Sequence, residues 1–140
     1  MVATSVDSFP GVAGVVADAE RLPFPPETFD AVTCRIAAHH FPAPETSVDE
    51  VSRVLRPGGV FAFEDNVVPE DETLDSFLNH VEEMRDPTHV ESYRTSTWHQ
   101  WMETAGFTVE ETEHLVKRID FRAWVDRMSS LDVETEVQVR

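Results

Sequence analysis

The sequence predicts a single α/β domain with a partial, doubly wound and mostly parallel sheet, helices on both faces and a helical lid. Short apolar runs of strand length alternate with longer segments of helical periodicity. Pro57-Gly58-Gly59 separates one helical segment from the next apolar run. The length of 140 residues is enough for one core and too short for two ordinary domains.

The elements of the first half follow from apolar runs and prolines. Val12–Ala17 is valine-rich, which is typical of a strand buried on both faces. The prolines of Leu22–Thr28 indicate a loop, and Asp30–Cys34 is the next predicted strand.

A helix is predicted next, with Val48, Val51, Val54 and Leu55 at helical spacing. It begins either at Pro44 or at a capping box formed by Ser47 and Glu50. Pro57-Gly58-Gly59 ends it as a turn and leads into a predicted strand, Val60–Phe63.

Two helices are predicted beyond Glu64. Asp71–Met84 is amphipathic, and Asp86-Pro87 ends it. Ser96–Ala105 carries Trp98, Trp101 and Met102 on one face, which indicates core packing, and Gly106 fits its carboxyl cap.

The last segment has three predicted elements. Phe107–Val109 starts a strand, and Asp120 caps a third helix. That helix is predicted to turn Phe121, Trp124, Val125 and Met128 inward. Val133–Val139 alternates like a half-exposed edge strand.

The charge balance excludes several classes of partner. Asp and Glu number 27 against 11 Lys and Arg, for a net charge of -16, and Lys117 is the single lysine. Such a surface repels nucleic acids and anionic membranes, and it resembles proteins adapted to high intracellular salt. No apolar run is long enough to cross a bilayer and no secretory signal is recognisable, so we expect a cytoplasmic protein.

Metal and thiol chemistry are not expected. The chain has six histidines, of which His80, His89, His99 and His114 are scattered, and there is no His-x-x-x-His pair and no cysteine cluster. Cys34 is the single cysteine and ends an apolar run, which favours a buried small hydrophobe over a nucleophile.

Ligands of open parallel sheets bind beyond the carboxyl ends of the strands, which selects the residues that follow each apolar run. These are Asp18-Ala19, Cys34-Arg35-Ile36 and Glu64-Asp65. The first two groups have structural alternatives: Asp18 fits an Asx turn, and Arg35 fits a surface salt bridge to Glu64 or Asp65.

The order of Asp18-Ala19-Glu20-Arg21-Leu22-Pro23-Phe24, Arg35-Ile36-Ala37-Ala38-His39-His40-Phe41 and Leu55-Arg56-Pro57-Gly58-Gly59 resembles a known family. It is similar to class I S-adenosylmethionine-dependent methyltransferases, in the branch of the ubiquinone/menaquinone-biosynthesis enzymes. The resemblance implies a Rossmann-like domain, S-adenosylmethionine as cofactor and a small-molecule acceptor.

The resemblance also assigns residues. Asp18 would accept a hydrogen bond from the adenine amine, beside the backbone N–H of Ala19. Cys34, Arg35 and Ile36 would provide contacts to the methionine part of the cofactor. The implied division is a cofactor core in 12–64, an acceptor and lid region in 65–106, with the acceptor pocket between Phe77 and Trp101, and a carboxyl-terminal strand and helix in 107–140.

His40 is the candidate catalytic residue, because a neutral imidazole at the mouth of the crevice can take a proton from the acceptor. The alternative is a packed or capping histidine, since His-His-Phe occurs in this branch around a helix entry.

Two parts of the family pattern are missing. No Gly-x-Gly-x-Gly motif precedes Asp18, and the acidic residue that holds the ribose has no counterpart. Two hypotheses follow. The chain derives from an active enzyme whose amino end is absent, or it is a methyltransferase-like remnant without catalysis. The remnant would act as an interaction module or homodimerise through an uncovered sheet edge.

Overall fold

The computed structural model describes residues 11–116 and 118–125. Four strands, four α-helices and one short 3-10 helix (Ala38–His40) follow one another within these residues. Their order is β1 (Phe29–Arg35), the 3-10 helix, α1 (Pro44–Val54), β2 (Leu55–Glu64), β3 (Val67–Val68), α2 (Glu72–Arg85), β4 (Tyr93–Arg94), α3 (Thr95–Thr104) and α4 (Phe121–Val125).

Two parallel strand pairs form the sheets of the described part. β1 pairs with β2, with Cys34 opposite Phe63 and Arg35 opposite Glu64. β3 pairs with β4 over two residues each. The parallel α/β fold is therefore confirmed, and β1 and β2 end side by side at one edge of their sheet.

β2 starts earlier than predicted. The Pro57-Gly58-Gly59 segment is an irregularity inside it: Phe29 pairs with Leu55, whereas Ala31 already pairs with Val60. The helix does end before these residues, and Gly58 adopts a φ of 80°.

Helix α1 begins at Pro44, so the earlier of the two predicted starts is correct. The predicted capping box is wrong, because the Ser47 hydroxyl donates to the Pro44 carbonyl oxygen. The Ala43 N–H, just before the helix, instead donates to Glu20 Oε1 at 2.6 Å. A carboxylate from the preceding loop thus lies at the positive end of the helix.

The core lies between one face of the β1–β2 sheet and helices α1 and α3. Its centre is formed by Ala38, Val48 and Trp98, each at most 4% exposed, with Cys34 and Phe63 packed against them. The predicted packing role of Trp98 is confirmed. The other sheet face, which carries Ala31, Thr33, Val60 and Ala62, is exposed among the described residues.

Two predicted strands are not found. Val12–Ala17 forms no regular element, and its side chains are exposed, Val16 at 85%. Phe107–Val109 is also not a strand, although the Phe107 ring packs on Phe61 with centroids 5.6 Å apart. A strand requires a hydrogen-bonded neighbour, and neither segment has one in the described part of the chain.

The helices of the second half agree closely with the sequence. Asp71 caps α2 by accepting from the N–H groups of Thr73 and Leu74, and Gly106 ends α3 with a φ of 93°. Asp120 caps α4 through the Ala123 N–H. Phe121 is 48% exposed, so its predicted inward position is wrong. The predicted positions of Met128 and Val133–Val139 lie outside the described residues.

No helix within residues 11–116 and 118–125 has the length and apolar character needed to span a bilayer.

Candidate active site

The carboxyl ends of β1 and β2 bring several predicted site residues to one edge of the sheet. The pairing of Arg35 with Glu64 places Cys34, Arg35 and Ile36 beside Glu64 and Asp65. The Ile36 N–H donates to the Glu64 carbonyl oxygen at 2.8 Å, which ties the first residue after β1 to the end of β2.

An apolar cavity of about 170 Å³ connects this edge with the Asp18-Ala19 loop. Ala19 and Cys34, two predicted cofactor contacts, both line it. The remaining lining is mostly aliphatic and aromatic and includes Val48, Phe61 and Trp98. Ligand sites are commonly apolar hollows with a few polar groups at the rim, and this cavity fits that description.

The loop that carries Asp18 is a tight turn. Asp18 Oδ1 accepts from the Glu20 N–H at 2.9 Å, and the Asp18 carbonyl oxygen accepts from the Arg21 N–H at 3.1 Å. The Asx turn weighed from the sequence is therefore present. The Asp18 side chain is exposed, so its carboxylate remains accessible from solvent.

Helix α1 anchors the segment that follows Asp18. Arg53 donates to the carbonyl oxygens of Phe24 (2.8 Å) and Leu22 (3.1 Å), while Glu50 accepts from the Leu22 N–H at 2.8 Å. Glu50 and Arg53 are also bonded to each other, and the Arg53 hydrogen bond lowers the pKa of Glu50. Sequence reasoning did not identify this anchor, although Glu50 and Arg53 lie three residues apart on one helix face.

Arg35 forms the surface salt bridge to Glu64 that was the alternative to a contact with the cofactor. Its Nε lies 2.8 Å from Glu64 Oε2, and its side chain is 75% exposed. Ile36 follows with a φ of 49°, which is rare for a β-branched residue.

His40 is held by the loop between α2 and β4. Its ring Nδ1 lies 2.9 Å from the Thr88 carbonyl oxygen, an arrangement in which Nδ1 carries the proton and donates it. Nε2 is then the basic nitrogen of the ring. The contact with Thr88 agrees with the alternative interpretation of His40 as a packed histidine. The same tautomer is also the one that a base acting through Nε2 requires.

A second histidine is more deeply buried. His39 Nδ1 lies 2.6 Å from Asp65 Oδ1, and the two side chains are 8% and 1% exposed. The hydrogen bond to Asp65 raises the pKa of His39. Burial pushes the pKa of Asp65 upward, but the hydrogen bonds from His39 and Asn66 outweigh burial and leave it lowered.

This pair was not predicted as a unit. The sequence signals were an Asp directly after one parallel strand and a His shortly after its neighbour, which the sheet brings to the same edge.

Cys34 is partly buried, and burial raises the pKa of its thiol, followed in effect by the charge of Asp65. A raised pKa disfavours the thiolate. Among residues 11–116 and 118–125 no three His, Cys, Asp or Glu side chains are grouped in a way that could hold a metal ion.

We expect stability to fall as pH rises above about 6.5, because the His39 pKa is raised above its ordinary value of 6.5. The stabilisation is complete below that value and is lost as pH rises through the raised pKa. The lowered pKa of Asp65 affects stability at acidic pH: its stabilisation is lost as pH falls below about 3.8. Melting temperatures measured from about pH 6.5 to about pH 8.5 would report His39.

Asp65→Asn provides the control, because it removes the carboxylate whose hydrogen bond and charge raise the His39 pKa, so stability should fall less steeply at alkaline pH. The pKa of His89 is shifted in the opposite direction, because burial lowers it. His89 therefore reduces stability only below about pH 6.5, outside the range that reports His39. Parallel pH profiles for the wild type and Asp65→Asn would contradict this assignment.

A parallel sheet with an apolar cavity and carboxylates beyond its strand ends defines a class of cofactor-binding α/β domain. Residues 2–63 match the family model described as a methyltransferase domain. A solved structure from Bacillus halodurans, of a protein assigned to the methyltransferases, is 41% identical with a TM-score of 0.86 and covers 97% of this chain and 68% of its own.

The uncharacterized methyltransferase YcgJ of Bacillus subtilis is 39% identical over 109 residues, which are 78% of this chain and 43% of YcgJ. The YcgJ crystal structure has a TM-score of 0.86 at 34% identity and covers 96% of this chain and 59% of its own. The chain belongs to the class I S-adenosylmethionine-dependent methyltransferases. It spans about half the length of the curated relatives it matches, 43% of YcgJ and 53% of YafE from Escherichia coli.

S-adenosylmethionine is the cofactor of this class, and the apolar cavity fits its adenosyl part. The cavity beside Ala19 and Cys34 offers apolar walls to an aromatic base. Asp18, next to Ala19 in the sequence, adds an exposed carboxylate that suits an exocyclic amine.

Proposed function

We propose that this chain binds S-adenosylmethionine at the rim formed by Asp18-Ala19 and Cys34-Arg35-Ile36, as part of an enzyme that methylates a small organic acceptor. The observation that supports this proposal is the cavity that Ala19 and Cys34 share, since these residues belong to two separate family motifs. The division of the chain into cofactor, acceptor and carboxyl-terminal regions is part of the same proposal.

Within this proposal the residues of the cofactor site hold and shield the cofactor and do not react with it. Asp18 accepts from the adenine amine, with the backbone N–H of Ala19 beside it, and Cys34 contacts the methionine part of the cofactor. Arg35 and Ile36 lie along the methionine part. The cofactor supplies an electrophilic methyl group, and methyl transfer is accelerated mainly by holding the acceptor in line within a dry crevice.

His40 is the proposed general base. With Nδ1–H donated to the Thr88 carbonyl oxygen, Nε2 is free of its own proton and can receive one from an acceptor hydroxyl or amine. Thr88 lies in the loop between α2 and β4, which is part of the proposed acceptor region between Phe77 and Trp101. The proposed base is therefore in contact with the proposed acceptor region.

The acceptor is proposed to have an apolar body. Helix α2 lies within residues 65–106, the region assigned to the acceptor, and its Leu74 and Phe77 are 51% and 60% exposed. The acceptor atom stays open among oxygen, nitrogen, sulfur and carbon.

Calorimetric titration with S-adenosylhomocysteine tests the cofactor site. We expect micromolar binding by the wild type and about tenfold weaker binding by Asp18→Ala, because one charge-assisted hydrogen bond is lost. Asp30→Ala is the matched control: Asp30 is also exposed and lies at the opposite end of β1, where it pairs with Arg56. Equal losses in both variants would contradict the role of Asp18.

The same titration separates enzyme from interaction module. β1 has β2 on one side only among the described residues, and this unpaired edge favours pairing with a second copy as the second candidate function. A well-folded dimer that releases no heat with S-adenosylhomocysteine would support the module and contradict the enzyme.

A further inference from the structure

Ile36 has a backbone conformation that its own side chain does not explain. Its φ of 49° lies in the left-handed region, which β-branched residues avoid because of steric clash. Glu27 is the other non-glycine residue with positive φ in the described part of the chain. The Ile36 side chain is 42% exposed, so burial offers little compensation. Something outside the residue must hold it there.

Asp65 supplies the restraint. Its Oδ2 accepts from the N–H groups of Ala38 (2.6 Å) and His39 (3.1 Å). Its Oδ1 accepts from the Asn66 N–H at 2.7 Å and contacts the His39 ring Nδ1 at 2.6 Å. A carboxylate that is 1% exposed therefore makes four hydrogen bonds, three of them within the turn after β1 or to its histidine.

These bonds fix Ile36 from both sides. The Ile36 N–H is bonded to the Glu64 carbonyl oxygen, and two residues later the Ala38 N–H is bonded to Asp65. Both acceptors belong to adjacent residues at the end of β2. The chain between them must reverse within two residues, which a left-handed residue allows.

We propose that Asp65 is a positioning residue for the cofactor: it holds Ile36 in the left-handed conformation and so fixes the path of Arg35–Ala37 beside the cofactor site. The inference rests on the proposed cofactor site. Asp65 itself is buried beneath this turn and does not need to touch the cofactor.

The first measurement needs no ligand. NMR couplings that report the sign of φ are measured at Ile36 in the wild type, Asp65→Ala, His39→Asn and Asp71→Ala. We expect positive φ in the wild type and its loss in Asp65→Ala. His39→Asn should retain it, because the asparagine amide can donate to Asp65 from nearly the same place as Nδ1. Asp71→Ala is the matched control, since it also removes a carboxylate that accepts two backbone N–H groups, at the start of α2.

The second measurement is S-adenosylhomocysteine affinity of the same variants. We expect Asp65→Ala to bind at least about tenfold more weakly, with His39→Asn and Asp71→Ala close to the wild type. A merely structural carboxylate would lower the melting temperature in Asp65→Ala without a selective loss of affinity. If Asp65→Ala does not fold, Asp65→Asn replaces it, because it loses one of the two acceptor oxygens and should give a partial shift in both readouts.

Positive φ at Ile36 in Asp65→Ala overturns the inference, and so does unchanged affinity after φ has changed sign. A wild type that shows the expected couplings but binds no S-adenosylhomocysteine overturns the proposed function instead, and with it the cofactor role of Asp65. The two failures are therefore distinguishable.

Discussion

Trp98→Ala is expected to lower the free energy of unfolding by about 3–5 kcal/mol, the range for removing a large aromatic side chain from a packed core. Trp98 is 4% exposed, and its ring centroid lies 4.4 Å from Phe63 and 5.1 Å from Trp101. Its removal would also enlarge the cavity that it lines, so the remaining core cannot close the space without moving. Urea denaturation gives the measurement.

Trp98→Phe separates volume from polarity. The indole Nε1 is buried without a hydrogen-bond partner in the part of the chain that the structure describes, and an unpaired donor costs about 1–3 kcal/mol. Phenylalanine removes that donor and part of the volume, so we expect a loss well below that of alanine. Val116→Ala, at a side chain 92% exposed, should change stability by less than about 0.5 kcal/mol. Equal losses for Trp98→Phe and Trp98→Ala would contradict the dependence of the loss on the volume removed.

Gly59→Val is expected to destabilise the β1–β2 pair by about 1–3 kcal/mol, the usual cost of overpacking. A Cβ on Gly59 would lie 2.9 Å from the Arg56 carbonyl oxygen and 3.1 Å from that of Asp30. Both are backbone atoms, one in each strand, so relief requires the strands to shift at the irregularity near their start. Thermal and urea unfolding measure the loss.

Gly58 is the control for Gly59, because its backbone conformation, and not the space around it, restricts the residue type. A Cβ there meets nothing within 4 Å, but the φ of 80° disfavours most side chains. Asparagine tolerates this conformation, so Gly58→Asn should cost little, whereas Gly59→Asn should cost as much as Gly59→Ala. The reverse order would contradict the steric account of Gly59.

The sequence predicted those elements whose signals are local. Apolar spacing located α1, α2 and α3, and the caps at Asp71, Gly106 and Asp120 depend on residues within a few positions. The strands at Val12–Ala17 and Phe107–Val109 were predicted from the same kind of run and are wrong. Whether an apolar run becomes a strand depends on a neighbouring backbone, which local periodicity cannot supply.

The candidate site was predicted in outline for a similar reason. Topology places Cys34-Arg35-Ile36 at the end of a strand, and a salt bridge from Arg35 to Glu64 or Asp65 was the alternative to its cofactor role. Asp18-Ala19 was expected to follow a strand at Val12–Ala17, but that segment is not a strand. The roles of Asp65 and His39 depend on the register of β1 against β2, because a shift of one residue would separate their side chains. The left-handed Ile36 has no sequence signal, since the residue type argues against it.

The three tryptophan side chains lie in two environments, so tryptophan fluorescence can report on the cavity. Trp98 lines the hollow beside Ala19 and is in edge contact with Trp101, while Trp124 lies under the Arg85 guanidinium at 4.6 Å. A molecule that enters this cavity lies next to Trp98, whereas Trp124 does not line it. The intrinsic fluorescence of the chain therefore contains a label-free reporter of occupancy together with an internal reference.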